Sequence, residues 1–179
     1  MLIDEPYRTN CIKIFKYNYS LFKETPGALK NHQSYPGGYI HHIEEVMNIA
    51  RVLHDSYSLL RPLPFKLSDA LMVLFLHDIE KPWKYELADN GELKIKDNLL
   101  DKENQKVFRS NKIDEYGIDL SEDHKNALEF MGGEKKAYSY YKRVRGPLAA
   151  FCGQCDSASA RIWFDYPKEA GDEWKAQIS

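Results

Sequence analysis

Long apolar runs are the first feature that this sequence lacks. No stretch reaches the ~18 consecutive apolar residues that a membrane-spanning helix needs, so the sequence predicts no membrane partner. The first residues include two acids and a proline where a signal peptide has a basic stretch and an apolar run, and we therefore expect a cytoplasmic protein. A formal net charge of −2 argues against a general polyanion binder, although it leaves room for a local basic patch.

Cysteine is also scarce in this chain. The three cysteines, Cys11, Cys152 and Cys155, form an odd set in a chain too long to need disulfides, which fits a reducing compartment. Cys152 and Cys155 have the spacing of a redox motif but lack its βαβ context. We interpret this pair, three residues apart on an apolar helix, as small core side chains.

Helical periodicity is what the sequence does contain. Apolar residues recur at helical spacing over five or six segments that are separated by proline- and glycine-containing breaks. Asn90-Gly91 between two short alternating runs is typical of a β-hairpin. A chain of 179 residues is long enough to enclose one hydrophobic core. We predict a single domain over residues 1–179, an all-α bundle of five to six helices with a small β-hairpin insertion near residues 86–96.

The most informative helix is the apolar run 70–76, because it ends in His77-Asp78. Burying an unpaired carboxylate is costly, so this pair either caps the helix in solvent or belongs to a site. Two other helices with apolar faces carry His42 and Asp156. Because all three helices must pack together, these four groups can converge as the ligands of metal sites in helical bundles do.

Two imidazoles and two carboxylates make a mixed nitrogen and oxygen ligand set. Such a set suits one divalent ion, which can be Mn²⁺, Fe²⁺, Co²⁺, Ni²⁺, Zn²⁺ or Mg²⁺. Four protein ligands on an octahedral ion leave two positions for water and a substrate oxygen. An ion in this setting lowers the pKa of its water and polarises a phosphoryl group.

Three segments together resemble the motifs of HD-domain phosphohydrolases. Residues 31–42 read NHQSYPGGYIHH, similar to the family's Tyr-Pro-Gly-Gly-x-x-x-His. Residues 77–82 read HDIEKP and resemble His-Asp-x-Gly-Lys, and residues 147–156 resemble the helix that carries the last aspartate. The resemblance covers residues 30–165, which would form the core of an HD-type domain. It is nearest to single-domain HD hydrolases related to HD-type 3′→5′ exoribonucleases.

The resemblance implies that His42, His77, Asp78 and Asp156 are the metal ligands. His41 is the competing choice for the first ligand, but His42 lies four residues after the second glycine, as the family histidine does. A slip of one residue turns a helix by ~100°, so the two histidines cannot share this role.

The implied activity is metal-dependent hydrolysis of a phosphate ester. Asp78 would then also orient the attacking water or accept its proton. Lys81 follows the ligands and would either meet a phosphate or pair with an acidic neighbour. The implied partner is a phosphorylated small molecule, such as a nucleotide, or a short nucleic acid.

Two departures from the family pattern keep other functions open. Glu80 stands where the family has glycine, and it can pair with Lys81 or contact the metal-bound water. We interpret it instead as a solvated residue at a helix end. Relatives with two metals carry further histidines before the last aspartate, whereas here that interval holds only His124, which favours one metal ion. The alternatives are a phosphodiesterase acting on cyclic nucleotides or RNA ends, and a catalytically silent HD domain that binds a nucleotide or a protein.

Several further side chains are candidates for substrate binding. His32 precedes the glycine pair and can reach the pocket mouth, or it bonds to loop backbone. His124 and Arg145 can contact a phosphate, although a capping residue and a solvated face are the ordinary explanations. The tyrosines Tyr138, Tyr140 and Tyr141 can form a platform for base stacking, and a wet surface explains them equally well.

Overall fold

The computed structural model describes residues 2–163, which contain eight α-helices, one short antiparallel hairpin and two single-turn 3₁₀ helices, Asp97–Leu99 and Lys135–Ala137. The helices are α1 Tyr7–Tyr17, α2 Tyr19–Glu24, α3 Gly38–Leu60, α4 Leu67–Leu76, α5 Lys81–Lys84, α6 Lys102–Glu115, α7 Glu122–Phe130 and α8 Pro147–Ile162. This confirms the predicted all-α fold. The helix number is higher than predicted because the chain turns at Asn18, between α1 and α2, and because α5 is a single turn. The predicted end of the domain lies outside the described residues.

Helix α4 lies at the centre of the bundle. Every residue from Ala70 to Leu76 is buried, and α1, α3, α7 and α8 all contact this helix. A helix that is apolar on all sides is stable only when other elements surround it, which explains this position. His77 follows immediately as the C-cap residue, so the end of the most buried helix delivers an imidazole into the interior.

A tight loop leads into α3 and depends on two glycines. Gly37 has a φ of +80°, in the left-handed region that glycine adopts at little cost. A Cβ atom on Gly38 would overlap the backbone carbonyl of Gln33. The loop therefore folds closely over the start of α3, and it holds the fully buried Gln33 against that helix.

The predicted hairpin is present. Strand β1, Tyr85–Leu87, pairs antiparallel with β2, Leu93–Ile95, and Gly91 in the connecting turn has a φ of +80°. The strands lie at the surface and bury no face completely. The hairpin is thus an insertion that follows α5 without contributing to the core.

Helix α8 completes the core around the functional region. It starts at Pro147, where proline in the first turn is well tolerated, and packs against α3, α4 and α7. Cys152 and Cys155 are buried and free, as the sequence predicts for core side chains. Within residues 2–163 no helix combines the length and the apolar character needed to cross a membrane.

Candidate metal centre

Three helices bring one ligand atom each to a single point. His42 lies on α3, His77 follows α4, and Asp156 lies on α8. Their ligand atoms all lie within 4.8 Å of one another. The two Nε2 atoms are 3.4 Å apart, and Oδ1 of Asp156 lies 3.3 Å from Nε2 of His42 and 3.6 Å from Nε2 of His77. This His/His/Asp group can hold a metal ion.

Hydrogen bonds on the far side of each ring fix which nitrogen faces this point. Nδ1 of His77 donates to the carbonyl oxygen of Leu74 over 2.6 Å. Nδ1 of His42 donates to Oγ of Ser159 over 3.0 Å, because the Ser159 hydroxyl itself donates to Glu45. Both rings therefore direct Nε2 inward, the arrangement in which metal-ligating histidines are held.

A buried polar network supports the His42 ring from behind. Oε2 of Glu45 accepts hydrogen bonds from Oγ of Ser159 and from Nε2 of Gln33, both over 2.7 Å. Oε1 of Gln33 in turn accepts from Nδ1 of His32 over 2.5 Å. Gln33 and Ser159 are fully buried and Glu45 is nearly so. One carboxylate thus orients two histidines at once.

Sequence reasoning did not identify this network. Its signal is present, however, since Glu45 follows His42 by three residues and Ser159 follows Asp156 by three. Residues three apart lie on the same face of a helix, so both polar side chains point toward the ligands next to them. Glu45 also lies between the core residues Ile43 and Val46, where a carboxylate is rarely found unless it has a hydrogen-bond or ionic partner.

Asp78, the remaining predicted ligand, lies at the edge of the group. Its Oδ2 is 3.1 Å from Nε2 of His77 and 2.6 Å from Nζ of Lys81. Burial opposes ionisation of this carboxyl, but Lys81 and His77 outweigh burial and hold its pKa well below the usual range. Lys81 is buried as well, and Asp78 outweighs its burial and raises its pKa.

The pKa values of the two histidines are shifted in opposite directions. Burial lowers the pKa of His42 to about 4, so this ring is neutral near pH 7. Burial also acts to lower the pKa of His77, but the Asp78 and Asp156 carboxylates overcome it and raise the pKa to about 10. The negative field that favours a proton on His77 equally favours a divalent cation at the same point.

Glu80 corrects an expectation from the sequence. It is not solvated but 4% exposed, and its Oε2 lies 3.8 Å from Nη1 of Arg109. The same guanidinium donates to the backbone carbonyl of His77. Burial, helped by the neighbouring Asp78, raises the pKa of the Glu80 carboxyl. Position 80 therefore carries a buried carboxyl beside Arg109, whose guanidinium braces the backbone of the His-Asp pair.

Of the other predicted contacts, the structure brings His32 to the centre. The His32 and His42 ring centroids are 4.8 Å apart. His32 and Asp156 line a cavity of about 520 Å³ whose other walls are formed by Lys30, Asn31, Ser157, Ala160 and Arg161. His41, the alternative first ligand, instead bonds through Nδ1 to the hydroxyl of Tyr35 over 3.0 Å.

His124 and Arg145 are not brought to this centre. His124 bonds to Asp69 on the first turn of α4, eight residues before His77 and so ~12 Å away along the helix axis. Nη2 of Arg145 donates to the carbonyl oxygens of Met131 and Ala149. Both side chains hold helix ends together, which is a structural use of residues predicted to bind substrate.

Comparisons with protein-family models, with curated proteins and with solved structures found no match to this chain. The geometry therefore defines the class: a mostly α-helical protein in which three helices converge on a His/His/Asp group that can hold a metal ion.

Proposed function

We propose that this chain is a divalent-metal-dependent phosphohydrolase of the HD type. The observation that carries the proposal is the convergence of His42 Nε2, His77 Nε2 and Asp156 Oδ1 from three helices. The His…His-Asp…Asp order in the sequence supports it, and Asp78 next to His77 supplies a second carboxylate. Within residues 2–163 one such group is found, which favours a single ion.

The donor set fits the proposed ion. Two imidazole nitrogens and two carboxylates suit borderline or hard divalent metals such as Mn²⁺ or Co²⁺. A bound ion of this kind supplies Lewis-acid charge to a phosphoryl oxygen and lowers the pKa of a water molecule. The Glu45–Ser159 network keeps the His42 ring in the required tautomer before any ion binds.

The residues beside the ligands have separate tasks in this proposal. Oδ2 of Asp78 contacts Lys81 and His77, which leaves Oδ1 to accept a hydrogen bond from the attacking water and so orient it. Lys81, charged because Asp78 raises its pKa, offsets the negative charge of a phosphate that approaches the two carboxylates. The Lys81–Asp78 pair thus positions the water-orienting carboxylate and provides a cation in one contact.

The cavity beside Asp156 suits an anionic ester. Its volume of about 520 Å³ lies within the range of small-molecule sites. Lys30 and Arg161 are exposed on its rim, and within residues 2–163 neither forms an ion pair. A nucleotide or a short nucleic acid end carries the phosphate charge that these two side chains and His32 can meet.

Mn²⁺ titration by calorimetry tests the metal site, with His42→Ala against the matched neighbour His41→Ala. We expect His42→Ala to lose binding and His41→Ala to retain it, since only His42 faces the group. Equal binding by wild type and His42→Ala would refute the metal centre.

Hydrolysis of p-nitrophenyl phosphate with Mn²⁺ or Co²⁺ tests the reaction separately. Wild-type protein should turn over this substrate and Asp78→Ala should not. Metal binding without turnover of phosphate mono- or diesters would identify a binding domain instead of an enzyme.

A further inference from the structure

The loop between α7 and α8 exposes three tyrosines that no packing explains. Tyr138, Tyr140 and Tyr141 in residues 133–146, here named the tyrosine loop, are 67%, 86% and 95% exposed. The rings of Tyr140 and Tyr141 meet edge to face, with centroids 5.4 Å apart. Clustered large aromatics on a surface mark a contact site, because folding gains nothing from leaving them in water.

The tyrosine loop is also the basic region of an acidic protein. It contains five basic residues and one acid, a net charge of +4, whereas the whole chain has a net charge of −2. The basic residues are Lys135, Lys136, Lys142, Arg143 and Arg145. The single acid, Glu134, is used within the loop, since its Oε1 accepts the backbone N–H groups of Val144 and Arg145. The loop is therefore positively charged, and its one carboxylate is occupied by loop backbone.

The C-terminal end of the loop is fixed to the bundle. The side chain of Asn126 donates to the carbonyl of Val144 and accepts from the N–H of Gly146, both over 2.8 Å. Arg145 adds bonds from its guanidinium to the carbonyls of Met131 and Ala149. A Cβ on Gly153 would overlap that guanidinium, so glycine makes room for it. The exposed rings are thus presented on a fixed base, which limits the entropy lost on binding.

The loop borders a cavity of about 680 Å³ lined by Glu134, Tyr138, Ser139, Tyr140, Tyr141, Arg143, Arg145 and Ala150. Flat rings beside basic groups are the means by which proteins hold single-stranded nucleic acid, since bases stack on the rings and phosphates meet the cations. The loop has only alanine and valine as aliphatic residues and forms no amphipathic helix, which disfavours a lipid surface. An acidic peptide would satisfy the cations but leave the rings without stacking partners.

We propose that the tyrosine loop binds single-stranded nucleic acid. This surface is separate from the metal centre, because Asp156 lies nine residues beyond Pro147 and so ~13 Å along the axis of α8. Binding here does not require a metal ion.

Fluorescence anisotropy with labelled oligonucleotides of about 12 nucleotides, in EDTA, tests this surface. The RNA and DNA strands should both bind, whereas a duplex of the same sequence should bind more weakly because its bases are already stacked. The variant Tyr140→Ala/Tyr141→Ala should bind at least about tenfold more weakly. Tyr17→Ala, which removes a similarly exposed tyrosine from α1, should bind like wild type. Unchanged melting of each variant shows that the fold is intact.

The charged residues have their own test. In Lys142→Gln/Arg143→Gln, the slope of log affinity against log salt should become shallower by about 0.7 for each phosphate that the variant no longer neutralises. Equal affinity of wild type and the double tyrosine variant would overturn the proposal. So would binding to phosphatidylserine vesicles with none to oligonucleotides, which would assign the loop to a membrane surface. Because EDTA removes any metal, neither result depends on the phosphohydrolase proposal.

Discussion

At each end of helix α4 a buried histidine meets a partly buried carboxylate, and the two pairs differ in what they leave unsatisfied. At its start, Nε2 of His124 donates to Oδ1 of Asp69 over 3.2 Å. At its end, Nε2 of His77 faces Asp78 at 3.1 Å and Asp156 at 3.6 Å. His124 and His77 are 4% and 5% exposed, so burial does not distinguish them.

The remaining hydrogen bonds make the difference. Nδ1 of His124 accepts from the backbone of Ser121, and Oδ2 of Asp69 accepts from the backbone of Lys66. Each of these polar atoms thus has a protein partner, and the pair is complete. Around His77, by contrast, a second Nε2 and two carboxylates converge on one point. A candidate site is thus identified by where possible ligand atoms converge, and not by residue type or depth.

Removing one carboxylate from each pair tests this contrast most strongly. We expect Asp156→Ala to weaken Mn²⁺ binding by at least about 100-fold, since it removes a direct ligand of the proposed ion. Asp69→Ala should leave Mn²⁺ affinity unchanged and lower the melting temperature, because it breaks the cap of α4. Calorimetry and thermal melting measure the two effects. If both variants bound Mn²⁺ alike, the distinction between the two pairs would fail.

Disrupting the hydrogen-bond network behind His42 should also weaken Mn²⁺ binding, but less than the loss of Asp156 does. Ser159→Ala removes the acceptor of the His42 Nδ1 proton, so the ring loses its fixed tautomer. Loss of such a supporting hydrogen bond weakens metal affinity by about 10–100-fold. Ser157→Ala, on the same helix but exposed, is the matched control and should bind Mn²⁺ like wild type. Wild-type affinity in Ser159→Ala would show that the network serves stability alone.

The sequence predicted the parts of this molecule that depend on local pattern. The apolar run of α4 and the Asn90-Gly91 turn specify their own structure, and the helix faces that carry His42 and Asp156 predict convergence. The complete pair at the other end of α4 depends on a contact across 55 residues, His124 with Asp69. No local pattern reveals such a partner.

Glu80 likewise shows that local sequence does not reveal a tertiary partner. Its position just after the His-Asp pair is compatible with solvent or with the interior, and the choice depends on Arg109, 29 residues later on α6. Tertiary packing decides whether a charged residue is buried, because burial requires a partner that only the fold supplies.

The His124–Asp69 pair should contribute to the stability of the fold and not to Mn²⁺ binding. His124→Ala leaves Asp69 without its partner and removes the edge contact with the Tyr7 ring, whose centroid lies 5.5 Å away. We expect a loss of about 2 kcal/mol in the free energy of unfolding, the usual cost of a broken buried hydrogen bond. Urea unfolding measures it, and Mn²⁺ affinity should stay at the wild-type value. A loss of Mn²⁺ affinity in the folded variant would contradict the structural role of His124.

Glu80 is buried beside the metal centre but lies outside the group of ligands, so it resembles neither the His77 pair nor the His124 pair fully. Substitution of Glu80 should have the smallest effect. Within residues 2–163 its Oε2 has no hydrogen-bond partner and only a 3.8 Å contact with Arg109, so ionic attraction barely offsets the cost of burial. Glu80→Gln keeps the shape and removes the charge, and we expect the free energy of unfolding to change by less than about 1 kcal/mol. Arg109→Ala is the informative contrast, because it also removes the donor to the His77 carbonyl and should cost more in urea unfolding. If Glu80→Gln instead abolished Mn²⁺ binding while remaining folded, the carboxylate would belong to the metal centre. Convergence of ligand atoms would then miss a residue that metal binding requires.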